Sequence, residues 1–382
     1  SIPNMDFLSK NGELGLVKTV PDRFSPGSDV ANLSVMGYNP EKYYTGRSPL
    51  EAISMGLDLG SNDIAIRCNL VTLSDNMVYN EKTLLDHSSD EISTEESHEL
   101  INEISKHFNN DYISFHEGIS YRHCMIWKNC DELFKLTPPH DIINKKINDF
   151  LPEDSGGKFL YNMMNKSYNI LKNHPVNKKR MALGLKPANS IWLWGAGKKA
   201  ELPKFNDKFN LKGSVISAVD LIKGIAICSG LESIDVKGAT GTLNTNYKGK
   251  AVAALNALDS GKDFVYIHIE APDECGHRGE ISNKVKAIEL IDSQIIKPLI
   301  SGLNKYDDYK IMILPDHSTP LILRTHTKDP VPYIIYSKKE LNSSNKMYDE
   351  YNAKNTFNYI SNGYEILNYF LTNSKSKEGD LK

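Results

Sequence analysis

Two apolar segments of this chain each run into a group of aspartate and histidine residues. The segment IHIEAPDECGH spans 267–277, and the segment IMILPDHSTPLILRTHT spans 311–327. Each begins like a buried strand, and the carboxyl ends of neighbouring parallel strands are where open α/β sheets bind ligands. We therefore expect the polar residues of both segments to meet at one edge of a sheet. The candidate ligands are Asp273, His277, Asp316, His317 and His326.

The residue types in these two groups favour a metal centre. Mixed carboxylate and imidazole ligands suit manganese or zinc, and two such ions stabilise both the attacking and the leaving oxygen of a phosphoryl transfer. A single Asp or His at a strand end is more often a cap or a surface contact, but here that explanation must hold for both groups. Asp273 and His277 are also four residues apart, so one helical turn places them on the same face.

A candidate nucleophile lies near the start of the chain. The segment PGSDVAN at 26–32 places Ser28 after Gly27 and just before a predicted helix. The ordinary explanation is a helix N-cap. The functional explanation is a hydroxyl exposed at a turn and activated by a metal ion, with the backbone N–H groups of the helix start available to a phosphate. The motif alone is compatible with both.

Basic side chains are available for an anionic substrate. Arg122 and His123 are adjacent, His140 follows two prolines, and Lys223 lies in a predicted helix. Arg47 lies in the segment YYTGRSP. Most Arg and Lys residues are solvated surface groups, so the surface explanation is the first alternative for each of these.

The composition is that of an ordinary globular protein. The chain has 382 residues, 40% of them hydrophobic and 24% charged, which is enough for one large domain or two. The net charge of −3 gives no electrostatic case for nucleic acid or an anionic membrane, and the longest apolar stretches are too short to span a bilayer. Five cysteines without a CxxC pair predict reduced thiols in a cytoplasmic protein. None of these features indicates an oligomeric state.

Residues 67–189 differ in pattern from the rest of the chain. The spacing of apolar residues and the content of β-branched residues predict a strand at 67–74, a helix at 93–108, a hairpin at 112–127 and a helix at 159–174. Ser93 and Glu96 form a capping box at the first of these helices. This succession is typical of a small α+β domain.

From about residue 190 the predicted strands alternate with helices. Strands are expected at 263–270 and 309–315, and a helix at 284–303 is expected to bend near Pro298. This alternation predicts an α/β fold with a mostly parallel sheet covered by helices on both faces.

Nine stretches, in order along nearly the whole chain, resemble one family. They are similar to the cofactor-independent phosphoglycerate mutases of the archaeal type, within the alkaline phosphatase superfamily. The stretches are GELGLVKTVPDRFSPGSDVANLSVMGYNPEKYYTGRSPLEA, RCNLVT, ISYRH, TPPHD, NSIWLWGAGKK, ISAVDLIKGIA, GATGTLNTNYKGKA, HIEAPDECGH and PDHSTPLILRTHTKDPVP.

The resemblance implies roles for the residues that match its motifs. It implies that Ser28 is the phosphorylated nucleophile and that two divalent ions bind. Manganese is the expected ion, with zinc, cobalt or magnesium as alternatives. The implied ligands of one ion are Asp273, His277 and His326. Those of the other are Ser28, Asp316 and His317. The implied substrate-binding candidates are Arg122, His123, His140 and, less strongly, Lys223.

The resemblance also implies a domain organisation. A phosphatase-like catalytic domain is expected at 1–66 and 190–382, and an inserted α+β domain that carries part of the substrate site is expected at 67–189. In this family a further strand is expected before Ser1, ending in an Asp that also binds the second ion.

The expected activity is interconversion of 3-phosphoglycerate and 2-phosphoglycerate in glycolysis and gluconeogenesis, without 2,3-bisphosphoglycerate as cofactor. The expected partner is this small substrate, with no nucleic acid and no membrane. Two alternatives stay open at this point. One is another phosphomutase or a phosphatase of the same superfamily, and the other is a non-catalytic metal-binding relative.

Overall fold

The chain forms two compact units in the computed structural model, which describes residues 1–132, 134–340 and 343–372. One unit combines Ser1–Tyr44 with the chain from Glu201 onward, and the second unit is Thr45–Ala200. The second unit therefore begins before residue 67 and ends after residue 189, because the strands at both of those borders pair with each other inside it. Residues 373–382 of the predicted catalytic domain lie outside the described part.

The strands of the described residues are distributed along the chain and are numbered in chain order. They are β1 (Glu13–Val17), β2 (Ile64–Leu73), β3 (Leu84–Asp86), β4 (Ile113–His116), β5 (Arg122–Trp127), β6 (Ser190–Lys198), β7 (Gly213–Ile216), β8 (Glu232–Ile234), β9 (Phe264–Ile267), β10 (Lys310–Ile313), β11 (Val331–Ser337) and β12 (Tyr359–Ile360).

The α-helices of the same residues are mostly short. They are α1 (Pro3–Lys10), α2 (Ser28–Val35), α3 (Pro40–Tyr43), α4 (Ser48–Ser54), α5 (Thr94–Phe108), α6 (Ser155–Leu171), α7 (Pro175–Ala182), α8 (Phe205–Phe209), α9 (Asp220–Cys228), α10 (Tyr247–Asp259), α11 (Ala271–Arg278), α12 (Ile281–Ile291), α13 (Lys297–Leu303), α14 (Glu350–Lys354) and α15 (Ile366–Thr372).

The described residues of the first unit form two sheets rather than the one mostly parallel sheet that the sequence predicts. The strand order is β10-β11-β1-β12 in one sheet and β8-β7-β9 in the other. The second of these is parallel, but β11 runs antiparallel to both β10 and β1. A parallel connection needs a crossover, usually helical, whereas residues 314–330 between β10 and β11 form turns without a helix. The chain therefore returns beside β10 in the opposite direction.

The strands β9 and β10 are not hydrogen-bonded neighbours, which corrects the expectation for the two ligand-bearing segments. Each is the edge strand of its own sheet. Both strands line one cleft of about 1370 Å³, and Asp273, Asp316 and His317 line the same cleft. The two ligand groups therefore meet across a cleft and not along one sheet edge.

The predicted helix at 284–303 is interrupted just before Pro298. It consists of α12, a π-helical turn at Asp292–Ile296, and α13. Asp292, which is 1% exposed, accepts hydrogen bonds from Asn4 Nδ2 and Met5 N, each at 2.7 Å. The wide turn thus directs a buried carboxylate to the start of α1 and fixes that helix.

The second unit is built on an antiparallel sheet in which β2 is the central strand. The strand order is β3-β2-β5-β4, and β6 pairs with the remaining side of β2. The predicted strand, hairpin and two helices correspond to β2, β4–β5, α5 and α6. Ser93 caps α5 by accepting a hydrogen bond from Glu96 N at 3.2 Å, as the capping box predicts.

Strand alternation places Arg122 and His123 on opposite faces of this sheet, so they do not form one substrate-binding pair. Asn69 is paired with Arg122, and Cys68 is paired with His123. Directly paired residues share a face, and successive residues alternate between faces. Arg122 is exposed, whereas His123 is 4% exposed and its Nδ1 accepts a hydrogen bond from a backbone N–H.

No helix of the described residues is both long and apolar enough to cross a membrane. All five cysteines are buried, and none forms a disulfide bond.

The burial of His123 predicts a pH dependence of stability. Burial lowers the pKa of His123 to about 3 from 6.5. Below pH 6.5 the unfolded chain takes up a proton that the folded chain excludes, so this contribution to stability is lost as the pH falls towards 3. The loss is about 1.4 kcal/mol per pH unit within that window. In the His123→Leu variant, the free energy of unfolding should therefore fall less steeply between pH 6 and pH 4.5.

The measurement is denaturant unfolding at a series of pH values. His107→Leu is the control, because that side chain is half exposed. An unchanged pH slope in His123→Leu would contradict the assignment of His123 as a neutral core residue.

Candidate metal centre

The predicted ligands lie on four short segments of the first unit, one of which begins with Ser28 and is described below. Asp273 and His277 lie one turn apart on α11, which follows β9, and the carboxylate Oδ2 is 3.3 Å from His277 Nε2. Asp316 and His317 follow β10, and His326 lies further along the same connection. The spacing of four residues thus places the first pair on one helical face, as the sequence predicts.

Asp273, His277 and His326 form the first ligand group. The Nε2 atoms of the two histidines are 2.8 Å apart, and Asp273 Oδ1 is 3.2 Å from His326 Nε2. His277 Nδ1 faces the carbonyl oxygen of Arg324 at 3.0 Å, and His326 Nδ1 faces that of Pro26 at 3.3 Å. Since a carbonyl only accepts, each Nδ1 carries a proton, so when the rings are neutral each Nε2 directs a lone pair inwards.

This arrangement fits a divalent ion. Two nitrogen lone pairs and a carboxylate directed at one point repel one another unless a cation lies among them. Metal-binding histidines usually donate their opposite ring N–H to a backbone carbonyl or a carboxylate, which fixes the orientation of the ring. Neutral imidazole and carboxylate together are ligands for zinc or manganese.

Ser28, Asp316 and His317 form the second ligand group. Ser28 Oγ is 3.0 Å from His317 Nε2, and Asp316 Oδ2 is 3.5 Å from the same nitrogen. Asp316 Oδ2 also accepts a hydrogen bond from Asn32 Nδ2 at 2.8 Å. The hydroxyl of Ser28 and the carboxylate of Asp316 therefore both face His317 Nε2.

The two groups are contiguous. Ligand atoms of Asp273, His317 and His326 all lie within 4.8 Å of one another. The rings of His317 and His326 have centroids 3.8 Å apart. The two ligand groups thus form one continuous cluster in the first unit.

Ser28 is the first residue of α2 and not its N-cap. The N-cap is Gly27, which has extended backbone angles, and no side chain caps this helix. Because the Ser28 hydroxyl contacts His317 rather than a backbone N–H, the helix-cap explanation does not apply. The helix start also directs backbone N–H groups towards the same region, which favours an anion.

The electrostatics of Asp273 and His317 suit metal ligands. Burial raises the pKa of Asp273, but hydrogen bonds with His326 and Thr319 outweigh burial and hold that pKa well below its usual range. Burial lowers the pKa of His317. At neutral pH the carboxylate is therefore ionised and the imidazole of His317 is neutral, as metal ligands must be.

Sequence reasoning missed the residues that orient these ligands. Asn32 donates to both Asp316 and the carbonyl of Ser28, and it accepts a hydrogen bond from Tyr266 Oη at 2.6 Å. Thr319 donates to Asp273. One signal was present, because Asn32 lies one helical turn after Ser28, but the strand that supplies Tyr266 is remote in sequence.

The predicted substrate-binding residues are not part of this centre. Lys223, on α9 in the first unit, forms an ion pair with Asp235 at 2.6 Å. Arg122, His123 and His140 belong to the second unit. His140 is about half exposed, and its ring packs against that of Trp194 with centroids 5.3 Å apart.

The first unit combines a mixed α/β fold with a serine at the edge of a carboxylate–histidine cluster, an arrangement that suits metal-assisted chemistry on an anionic group. The family model for 2,3-bisphosphoglycerate-independent phosphoglycerate mutase matches residues 9–177. The chain belongs to the 2,3-bisphosphoglycerate-independent phosphoglycerate mutase family.

Similar proteins span nearly the whole chain. It is 46% identical over 372 residues to a probable 2,3-bisphosphoglycerate-independent phosphoglycerate mutase of Geobacter sulfurreducens, covering 97% of this chain and 92% of the relative. It is 46% identical to a 2,3-bisphosphoglycerate-independent phosphoglycerate mutase of Methanothrix thermoacetophila, covering 92% and 87%. A solved structure from Pyrococcus horikoshii has a TM-score of 0.78 at 28% identity and covers 99% of this chain and 92% of its own.

Asp273 provides the sharpest test of metal binding, because it contacts both histidines of its group. We expect Asp273→Asn to weaken Mn²⁺ binding by at least about tenfold, since an amide oxygen is a neutral ligand. Isothermal titration with Mn²⁺ measures the affinity. Asp259→Asn is the control, because it removes a carboxylate of the same unit from a surface ion pair. Equal affinities in the two variants would refute a metal site at Asp273.

Proposed function

We propose that this protein interconverts 3-phosphoglycerate and 2-phosphoglycerate through a phosphoserine at Ser28, without 2,3-bisphosphoglycerate. The observation that carries the proposal is the contact of Ser28 Oγ with His317 Nε2 at the edge of a convergent ligand cluster. Family membership supplies the reaction, and the position of Ser28 supplies the nucleophile.

Two divalent ions are the proposed cofactors. Asp273, His277 and His326 would hold one ion, and Ser28, Asp316 and His317 would hold the other. When bound, such ions neutralise the charge of the transferring phosphoryl group and make the serine hydroxyl more acidic. Manganese suits the mixture of carboxylate and imidazole, with zinc, cobalt or magnesium as alternatives.

The chain's own residues account for the remaining requirements of the transfer. Asn32 donates hydrogen bonds to both the Ser28 carbonyl and the Asp316 carboxylate, and these bonds hold the proposed nucleophile and the proposed ligand together. A bond forms from Ser28 Oγ to phosphorus as the ester bond to the glycerate oxygen breaks. The freed glycerate oxygen takes up the proton that the Ser28 hydroxyl loses. The other hydroxyl of the retained glycerate then attacks phosphorus as the Ser28 Oγ–P bond breaks, and its proton passes to Ser28 Oγ. Water must be kept out of this exchange, because hydrolysis of phosphoserine would make the enzyme a phosphatase.

The proposal extends to the fold and to the second unit. We propose that the first unit is an alkaline-phosphatase-like catalytic domain and that the second is an inserted domain that contributes substrate contacts. Arg122 and His140 are the proposed contacts there, and Lys223 is a lesser candidate in the first unit. The protein would act as a cytoplasmic enzyme on a small substrate, with neither nucleic acid nor membrane as partner.

Replacement of the nucleophile tests the phosphoserine step. Ser28→Ala should abolish mutase activity while Mn²⁺ affinity at Asp273 stays within about threefold of the parent. The assay couples 2-phosphoglycerate formation to enolase with defined metals and no added 2,3-bisphosphoglycerate. The control is Ser293→Ala, whose hydroxyl only donates to a helix carbonyl on the surface. Substantial mutase activity in Ser28→Ala would exclude the covalent route.

Arg122→Ala tests the contribution of the second unit. A guanidinium binds carboxylate or phosphate through two charged hydrogen bonds, so its loss should lower kcat/KM by at least about a hundredfold, or roughly 3 kcal/mol. Hydrolysis of the substrate should rise relative to transfer, because the glycerate is held less firmly. Lys106→Ala, an exposed cation of the same unit, is the control. Normal kinetics in Arg122→Ala would remove this residue from the substrate site and leave the metal centre unaffected.

A further inference from the structure

Thr319 contacts one ligand from each of the two groups of the centre. Its hydroxyl donates a hydrogen bond to Asp273 Oδ1 in the first group. The same hydroxyl oxygen is 3.4 Å from His317 Nδ1 in the second group. Thr319 is 6% exposed and His317 is 4% exposed, so water has little access to the space between them. One buried hydroxyl therefore links the two ligand groups.

The backbone of Thr319 is held in place from several sides. Lys284 Nζ donates to the Thr319 carbonyl oxygen at 2.7 Å. The preceding residue, Ser318, accepts a hydrogen bond from Thr327 N at 3.0 Å. A Cβ atom on Gly276 of α11 would lie 2.9 Å from Thr319 Cγ2 and 3.0 Å from its carbonyl oxygen. Any larger residue at this position of α11 would therefore displace Thr319.

The direction of the two hydrogen bonds of Thr319 follows from the number of protons. An ionised carboxylate only accepts and a hydroxyl has a single proton, so the Thr319 proton lies towards Asp273. The Thr319 oxygen is then the acceptor in its contact with His317. Nδ1 of that imidazole therefore carries the proton, and in the neutral ring Nε2 has the lone pair.

The opposite nitrogen of His317 has acceptors of its own, so the ring alone does not decide the tautomer. Ser28 Oγ is 3.0 Å from His317 Nε2, and Asp316 Oδ2 is 3.5 Å from it. A proton on Nε2 would be stabilised by that carboxylate, and it would occupy the lone pair that a metal ion needs. Thr319 and Asp316 thus favour opposite tautomers of the same ring.

Two features favour Thr319 in this competition. The carboxylate of Asp316 already accepts two hydrogen bonds, from Asn32 Nδ2 at 2.8 Å and from the backbone N–H of His317 at 2.9 Å. The Thr319 hydroxyl, by contrast, donates to an ionised carboxylate. This makes its oxygen a stronger acceptor, because hydrogen bonds in a chain polarise one another.

We propose that Thr319 is a positioning residue that sets the tautomer of His317 and at the same time orients Asp273, so that both ligand groups present lone pairs to the ions. This rests on the proposed function, which assigns the two groups to two ions. The partner on the far side of a metal-binding imidazole fixes its tautomer and raises its basicity. Here one hydroxyl has that role for the second group while it orients a carboxylate of the first.

Thr319→Val tests the inference by removing the hydroxyl while keeping a branched side chain. In the metal-free protein the His317 proton should move from Nδ1 to Nε2, because valine accepts no hydrogen bond whereas Asp316 does. Mn²⁺ affinity should fall by about tenfold or more, the usual cost of losing such a partner. Thr319→Ser restores the hydroxyl, so it should keep the proton on Nδ1 and an affinity within about threefold of the parent.

The tautomer is measured by nuclear magnetic resonance of the full chain with nitrogen-labelled histidines, after metal removal by a chelator. His317→Gln identifies the signals of this ring. Isothermal titration of the same proteins with Mn²⁺ gives the affinity. Thr72→Val is the matched control, because it removes the hydroxyl of a buried threonine that donates to the Pro187 carbonyl in the second unit. It should change neither the tautomer nor the affinity.

The outcomes separate this inference from the proposed function. A proton that stays on Nδ1 in Thr319→Val overturns the inference whatever the Mn²⁺ affinity, and so does a parent protein whose His317 Nε2 carries a proton. Equal effects of Thr319→Val and Thr319→Ser also overturn it. A shift to Nε2 in Thr319→Val alone supports it. Absence of mutase activity in the parent overturns the proposed function and leaves the tautomer assignment standing.

Discussion

The approach of two imidazole nitrogens is the constraint on which the candidate centre depends. His277 and His326 direct Nε2 atoms at each other across 2.8 Å, and Asp273 reaches both. Their orientation is set from behind by two backbone carbonyls. One of these belongs to Pro26, two residues before Ser28, so the turn that precedes Ser28 also orients His326. The serine and the first ligand group are therefore parts of one arrangement.

The position of this centre follows from the way the first unit is assembled. Its ligands come from the ends of two edge strands in separate sheets, and both strands line the same cleft. Asn32 and Tyr266 connect α2 to β9, while Asp316 connects α2 to the end of β10. Hydrogen bonds between side chains, and not the backbone hydrogen bonds of a shared sheet, hold the two ligand groups in position relative to each other. Removal of one side chain from such a network costs stability, because it leaves a hydrogen-bonding group of another member without its partner.

The second unit shows how strand alternation separates roles. The central strand β2 places apolar residues on one face and Arg67 and Asn69 on the other, so a single strand serves both the core and a polar face. Two adjacent residues of β5 follow the same rule: His123 lies in the interior and Arg122 is exposed. Basic residues that are neighbours in a strand therefore lie on opposite faces of the sheet, and this alternation must be considered before they are assigned to one site.

Local patterns in the sequence determined much of this protein. The helical spacing of Asp273 and His277, the cap of α5 at Ser93 and the polar groups after β9 and β10 all follow from interactions within a few residues, which the sequence displays directly. Only the tertiary structure decided that β9 and β10 lie in different sheets, that Asn32 orients Asp316, and that Thr319 contacts Asp273. Those outcomes depend on pairings between residues far apart in the chain, and no local spacing encodes which distant segment will supply a partner.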